Sequence, residues 1–175
     1  TMKKLEENGF IKIEEEYIYR NPLSIFKDVE TEPLFELAGE QITAYEGIRG
    51  KLRSQSPILL HGVTASGKTE VYFKLIKDVI DSGKNVLFLA PEIALASQLT
   101  KRLARKFGIK DVAIWHSSIS DGEKYDVWQR LFKNEIKILA GARSAVFAPL
   151  QNIGLIIIDE EHESAYKQTN PAPRY

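Results

Sequence analysis

The sequence contains no cysteine at all, a single methionine and only two tryptophans among its 175 residues. The lack of cysteine excludes a disulfide scaffold, a thiolate zinc site and a cysteine nucleophile together, and removes the usual reason to expect secretion. An excess of one charge is also missing, since 24 Lys and Arg balance 24 Asp and Glu. No apolar run approaches the roughly 20 residues of a membrane span. A hydrophobic fraction of 43% and a charged fraction of 27% are globular values that exclude wholesale disorder. These absences together predict a soluble, cytoplasmic protein with an ordinary apolar core.

The zero net charge conceals a split. Residues 1–40 carry 5 Lys/Arg against 10 Asp/Glu, and residues 41–175 carry 19 against 14. Two units with different surfaces are expected. Thr1 stands ahead of Met2, and polar, proline-containing sequence runs to Tyr175, so the chain is expected to be an excised fragment.

Residues Met2–Glu7 read as a short helix stopped by Asn8-Gly9, where the left-handed conformation after a last turn costs little. Phe10–Arg20 alternates apolar and polar residues and reads as two short strands around a turn. Residues 23–36 are acidic and weakly patterned, a linker. Leu37–Arg53 suits an amphipathic helix. Beyond it, apolar strand-like runs at Pro57–His61, Asn85–Ala90, Val112–His116, Ile136–Ala140 and Ile153–Asp159 alternate with helical stretches at Lys68–Ser82, Ile93–Phe107 and Gly122–Lys133. Continuous apolar strands alternating with helices predict an α/β fold, a mainly parallel sheet covered by helices on both faces.

The strongest motif is Gly62-Val63-Thr64-Ala65-Ser66-Gly67-Lys68-Thr69, a complete GxxxxGK[ST] between an apolar run and a helix. In that context backbone N–H groups and the helix N-terminus face phosphates, while Gly62 and Gly67 permit close approach. Lys68 places a cation on the β/γ-phosphates and Thr69 a hydroxyl on Mg²⁺. The run Leu155–Ile158 then leads into Asp159-Glu160-Glu161-His162. Asp159 is the candidate Mg²⁺ carboxylate, and Glu160 the base or positioner of an attacking water. Two adjacent acids favour hydrolysis over phosphoryl transfer to a small acceptor. A small-molecule kinase and a non-catalytic nucleotide-binding module are the competing readings.

The phosphate loop with Asp159-Glu160-Glu161-His162 resembles the DExH box of superfamily 2 helicases. Glu70-Val71-Tyr72, Pro91–Leu95, Trp115-His116-Ser117, Gly141–Pro149 and Tyr166-Lys167-Gln168 extend that likeness to the primosomal replication-restart helicases, the PriA family, over residues 37–175. The resemblance implies a RecA-like first lobe at 37–175, ahead of a second lobe, and makes residues 1–22 the remnant of a winged-helix domain. It implies ATP-driven unwinding with 3′→5′ polarity, recognition of stalled forks and primosome assembly. It gives ATP and Mg²⁺ as cofactors, with Gln41 reading adenine and Gly62, Thr64, Ser66, Gly67, Lys68, Thr69 and Glu70 around the nucleotide. Zinc belongs to a cysteine-rich module of the complete family protein, and this chain has none of its ligands. Pro91, Glu92, Arg143 and Ser144 fall in DNA-side motifs, His162 in a coupling position, and Tyr166 at the start of an aromatic-rich loop that senses single-stranded DNA. Implied partners are single-stranded and forked DNA, other primosome proteins, the single-stranded DNA-binding protein and the helicase loader, in a bacterial, nucleoid-associated setting. The family more often has glycine where Ala65 stands, so the loop must avoid positive φ there.

Smaller signals are expected to be structural. Lys101-Arg102-Leu103-Ala104-Arg105-Lys106 lies opposite a Leu95/Leu99/Leu103/Phe107 stripe and reads as a solvated face rather than a DNA patch. His61 and His116 read as packed imidazoles at strand ends, and Trp115 and Trp128 as core. Arg143 has a stronger functional case, as a loop arginine on the ligand-bearing edge of a sheet.

Overall fold

Why the strand runs are apolar throughout is plain from the sheet they form. In the computed structural model, which describes residues 2–12, 18–20, 22–23, 30–54, 56–63 and 66–167, four strands pair: β1 (Asn85–Leu89), β2 (Val112–Trp115), β3 (Ile138–Gly141) and β4 (Ile153–Ile158). Their order is β2-β3-β1-β4, and every pairing is parallel. Successive residues of a strand point to opposite faces. Val86, Phe88, Val112, Ile114, Ile138 and Ala140 therefore enter one core, and Leu87, Leu89, Ala113 and Leu139 the other.

Among the described residues five α-helices accompany the sheet: α1 (Met2–Glu7), α2 (Glu40–Lys51), α3 (Lys68–Asp81), α4 (Ile93–Phe107) and α5 (Asp121–Phe132). From β1 the chain crosses to β2 in one direction along the sheet, and from β2 back to β3 in the other. Right-handed crossovers of opposite direction must use opposite faces. Accordingly Ala96, Leu99 and Leu103 of α4 join Phe73, Ile76 and Val79 of α3 in the first core, and Val127 and Leu131 of α5 build the second. The start of α5 is fixed by a reciprocal cap: Ser120 Oγ accepts from the Glu123 N–H at 3.3 Å, and the Ser120 N–H donates to Glu123 Oε2 at 2.9 Å.

Several expectations are corrected. Pro57–His61 is not a strand: residues 56–63 run without sheet pairing, Leu59 is 72% exposed, and His61 is exposed rather than packed. The outer edge of β4 does not reach this segment; a cavity of about 980 Å³ separates the two. Ile153, Ile156 and Ile158 are consequently exposed, so β4 is not buried on both sides. The helix expected over Leu37–Arg53 begins at Glu40 and buries no residue fully. Phe10–Lys12 and residues 18–20 form no strand, and the turn expected between them lies outside the described residues. Trp128 is 42% exposed and packs its ring at 6.2 Å from that of Trp115.

The acidic stretch before the sheet is docked on it. The Lys106 side chain, only 6% exposed, pairs with Glu32 at 3.2 Å, donates to the Pro33 carbonyl at 2.7 Å and lies over the Phe35 ring at 4.3 Å. The Glu32 N–H donates to the Arg105 carbonyl at 2.7 Å, satisfying a last-turn acceptor of α4. Leu23 is 1% exposed and belongs to the first core. The Arg20 N–H donates to the buried Asp126 carboxylate at 2.8 Å. Of the basic run, then, Lys106 is an anchor rather than part of a solvated face.

His116, at the end of β2, is 8% exposed, and its Nδ1 accepts the Ser118 N–H at 3.2 Å. Burial holds its pKa below the ordinary 6.5, Lys124 pushes the same way, and Glu123 opposes. An unfolded chain protonates this imidazole near 6.5, whereas the folded one does so only at lower pH. Its contribution is complete above about pH 6.5 and is lost as pH falls through the folded value. Urea unfolding between pH 7.5 and 5 should show that loss, and His116→Asn, which keeps an acceptor for Ser118, should flatten the profile. An unchanged profile in the variant would assign the dependence to other groups.

Candidate functional site

The site gathers where β1, β4 and the start of α3 end together. The glycine at position 67 sits at φ 80°, a left-handed turn into α3 that side chains rarely adopt. A Cβ there would also collide with the Gln41 side-chain amide. That amide donates to the Ser66 carbonyl at 3.2 Å, while its oxygen accepts the Ala38 N–H at 3.2 Å. Gln41 is thereby locked against the loop. Thr64 and Ala65 lie outside the described residues. Gly62 is also tight, since a Cβ would come within 2.9 Å of Ser66 Oγ. Lys68 reaches back across the loop and donates to the Gly62 carbonyl at 2.6 Å.

Opposite the loop, the Asp159 N–H donates to the Leu89 carbonyl at 2.9 Å, extending the β1–β4 ladder by one residue. Burial raises the Asp159 pKa and the neighbouring Glu160 carboxylate adds to it; the Glu160 N–H, Lys68 and Arg102 lower it. The two carboxylates and the loop lysine thus share one electrostatic neighbourhood. Glu160 itself takes φ 47°, the left-handed region for a residue with a full side chain. Such strain concentrates where a side chain must be aimed. His162 Nε2 lies 3.7 Å from Glu160 and 4.0 Å from Glu163, so it is placed to pair with either acid.

Two residues beside the site were given no site role by the sequence reading. Arg102, in the run expected to be solvated, pairs with Glu70 at 3.1 Å, covers the Phe73 ring at 5.2 Å and reaches Asp159 with its charge. Tyr72, one turn after Thr69, packs edge-on against Phe88 at 5.6 Å. Burial and the charges of Asp159 and Glu160 push its hydroxyl up to about 12, so it stays a neutral donor beside them. Tyr72 stood in the Glu70-Val71-Tyr72 block that carried the family resemblance, but without a role of its own. For Arg102 there was no signal, because its partners come from another element.

The DNA-side candidates occupy the same edge, beyond β1. Pro91 and Glu92 lead into α4, whose first turn has no side-chain cap. Arg143 and Ser144 open a 3₁₀ turn, Arg143–Phe147, directly after β3. Arg143 donates to the Ala165 carbonyl at 3.5 Å, the long limit of a hydrogen bond. Tyr166, expected at the start of a DNA-sensing loop, packs against the second core and donates its hydroxyl to the Asp159 carbonyl at 2.8 Å. Among the described residues no cluster of His, Asp and Glu could hold a metal by itself, and no helix is long and apolar enough to cross a membrane.

Comparison with known proteins agrees with this arrangement. The chain is 48% identical over 177 aligned residues to the replication restart protein PriA of Bacillus subtilis (strain 168), which covers 100% of the chain and 22% of that protein. The PriA of Synechocystis sp. is 43% identical over 177 residues, 100% of the chain and 21% of the relative. The chain thus spans about a fifth of the length of these relatives. Among solved structures, that of RecG bound to a three-way DNA junction superposes with a TM-score of 0.66 at 31% identity, covering 74% of this chain and 18% of RecG. Residues 34–173 match the family described as type III restriction enzyme, res subunit, and the chain belongs to that family.

Proposed function

We propose that this chain is the ATP-binding lobe of an ATP-dependent 3′→5′ DNA helicase that acts at stalled replication forks and restarts replication by primosome assembly. One observation carries the reading. A phosphate loop whose lysine, Lys68, acts electrostatically on the carboxylate of Asp159 stands on the sheet edge that also bears Arg143 and Ser144, in a chain similar to replication restart proteins. Residues 1–22 are then the end of a winged-helix domain and 37–175 the first RecA-like lobe, joined by the linker 23–36.

ATP with Mg²⁺ would supply the free energy of γ-phosphate hydrolysis. The residues present fit that group: Gln41 holds the loop from the base side, Gly62 and Gly67 leave the backbone bare, and α3 presents its N-terminus. Thr64, Ser66, Gly67 and Lys68 would cradle the phosphates, with Lys68 giving up the Gly62 carbonyl for a phosphate oxygen. Thr69 and Asp159 would hold the metal, and Glu70, next to Thr69 in sequence, is paired with Arg102. Glu160 orients the attacking water and takes its proton. His162 shifts between Glu160 and Glu163 and so links that carboxylate to the DNA-side loop. Pro91, Glu92, Arg143 and Ser144 face the strand, and Tyr166 steadies the Asp159 turn. Fork DNA, the single-stranded DNA-binding protein, other primosome proteins and the helicase loader are the proposed partners of the complete protein. Glu160 and His162 stand exposed to solvent, which supports nucleotide binding with little turnover in the isolated chain.

ATPase assays of the complete protein without DNA, with single-stranded DNA, with a fork and with RNA test the reading. Strong stimulation by DNA, greatest with the fork, is expected, and Lys68→Ala should abolish it by removing phosphate charge stabilisation. Turnover indifferent to every nucleic acid would return the small-molecule kinase or the binding module.

Glu160→Gln separates chemistry from binding. Mg·ATP affinity, read with a fluorescent nucleotide, should stay within about threefold, while turnover falls by roughly 10²- to 10⁴-fold, the usual contribution of a general base. Equal loss of both would make Glu160 a metal ligand.

A further inference from the structure

Phe147 is a large aromatic side chain left 71% exposed, although its sequence neighbours Ala148 and Leu150 pack in or against the second core. It ends the 3₁₀ turn Arg143–Phe147. Three residues per turn make side chains at i and i+3 eclipse. Ala145, 1% exposed, takes the inward face; Arg143 and Val146 share a second face, and Ser144 and Phe147 a third.

The turn is held firmly. Gly141 has no room for a Cβ, which would strike the Trp115 carbonyl and come within 2.7 Å of the Ala145 methyl. The Ala142 N–H donates to that same Trp115 carbonyl at 3.2 Å, and the Ala145 N–H to the Ala142 carbonyl at 2.8 Å. Phe147 is therefore presented from a fixed turn at the C-terminal edge of the sheet, in register with a hydroxyl and beside a guanidinium.

We propose that Phe147 is a base-stacking platform for single-stranded DNA, with Ser144 on its own face and Arg143 on the adjacent one taking the phosphates. The combination is what such a strand requires: a π-surface that every base can use, with cation and hydroxyl beside it for the backbone. A protein partner would be expected to bury the apolar Val146 together with Phe147, but Val146 shares its face with the charged Arg143. The proposal rests on the DNA-motor reading above and deepens it.

The test uses the complete protein with a fluorescein-labelled dT oligonucleotide and an abasic strand of equal length, read by anisotropy at several salt concentrations. Phe147→Ala should weaken dT binding by roughly 5- to 100-fold, the range of one base–aromatic stack. Phe147→Tyr should restore it and Phe147→Leu should not. On the abasic strand the Ala variant should match wild type. The salt slope should be unchanged in Phe147→Ala and should fall by about 0.7 in Arg143→Ala, one released counterion. Truncating so exposed a side chain removes no core packing, so the unfolding midpoint should not move. Equal dT affinity for wild type and Phe147→Ala would overturn the proposal, as would the same penalty on the abasic strand, which would mark a protein contact. Wild-type protein that binds no DNA at all would overturn the motor reading itself.

Discussion

One hydrogen bond sets the geometry on which the site depends, that from the Asp159 amide to the Leu89 carbonyl. It is the last rung of the β1–β4 ladder, and it fixes where β4 stops being a strand and becomes a run of acids. Held there, Asp159 is half-buried, and burial together with Glu160 disfavours its charge, while Lys68 and Arg102 restore it. A carboxylate poised by opposing influences gains most from a bound cation, because a metal charge outweighs them all at short range. Glu160, one residue on, leaves the ladder through a left-handed φ. The strain separates the two acids: one stays with the sheet, and the next is turned toward solvent.

The charge split between the two ends of the sequence is resolved in the fold by contact. The acidic front meets the basic end of α4 through Lys106, whose side chain is 6% exposed and satisfied by Glu32, Pro33 and Phe35 at once. A buried ammonium without such partners would be costly. Farther along, Arg20 meets Asp126 with its amide, and Leu23 fills the first core. What reads as a linker by composition is therefore attached to the lobe through Leu23, Glu32, Pro33 and Phe35.

Local signals made much of this legible. The limits of α4 coincide with the expected Ile93–Phe107, since its apolar stripe is regular and Gly108 follows it. The alternation of apolar runs and helices announced the parallel sheet, and the phosphate loop with Asp159-Glu160 announced the edge where ligands collect. Pro57–His61 has the composition of a strand, but a ladder also needs a neighbour about 4.8 Å away, and that distance is not a property of the segment. The contacts of Lys106, Arg102 and Tyr166 were hidden for the same reason. Their meaning comes from partners 7 to 74 positions away: Asp159 for Tyr166, Glu70 for Arg102 and Glu32 for Lys106. Phe147 was hidden differently, because only a 3₁₀ turn of known phase says which of its residues faces out.

The end of β1 joins the two halves of the edge. Its Leu89 carbonyl accepts from Asp159 on one side, and the next amide, that of Ala90, donates to the Gly141 carbonyl on the other at 2.9 Å. Asp159 begins the acidic turn, and Gly141 begins the turn that presents Arg143, Ser144 and Phe147. A second route runs around the outside, from Arg143 to the Ala165 carbonyl and from the Tyr166 hydroxyl back to the Asp159 carbonyl. Asp159 is thus held through both its amide and its carbonyl, each leading in a few bonds to the turn that bears Arg143. Packed interiors deform little, so a displacement at either end must be shared along such paths or must break one of them. The weakest link is the 3.5 Å contact at Arg143. A phosphate drawn to that guanidinium would compete with the Ala165 carbonyl and free the outer route while leaving the ladder intact. On the proposed reading, DNA held at this edge would change how firmly the turn at Asp159 is held without moving the sheet.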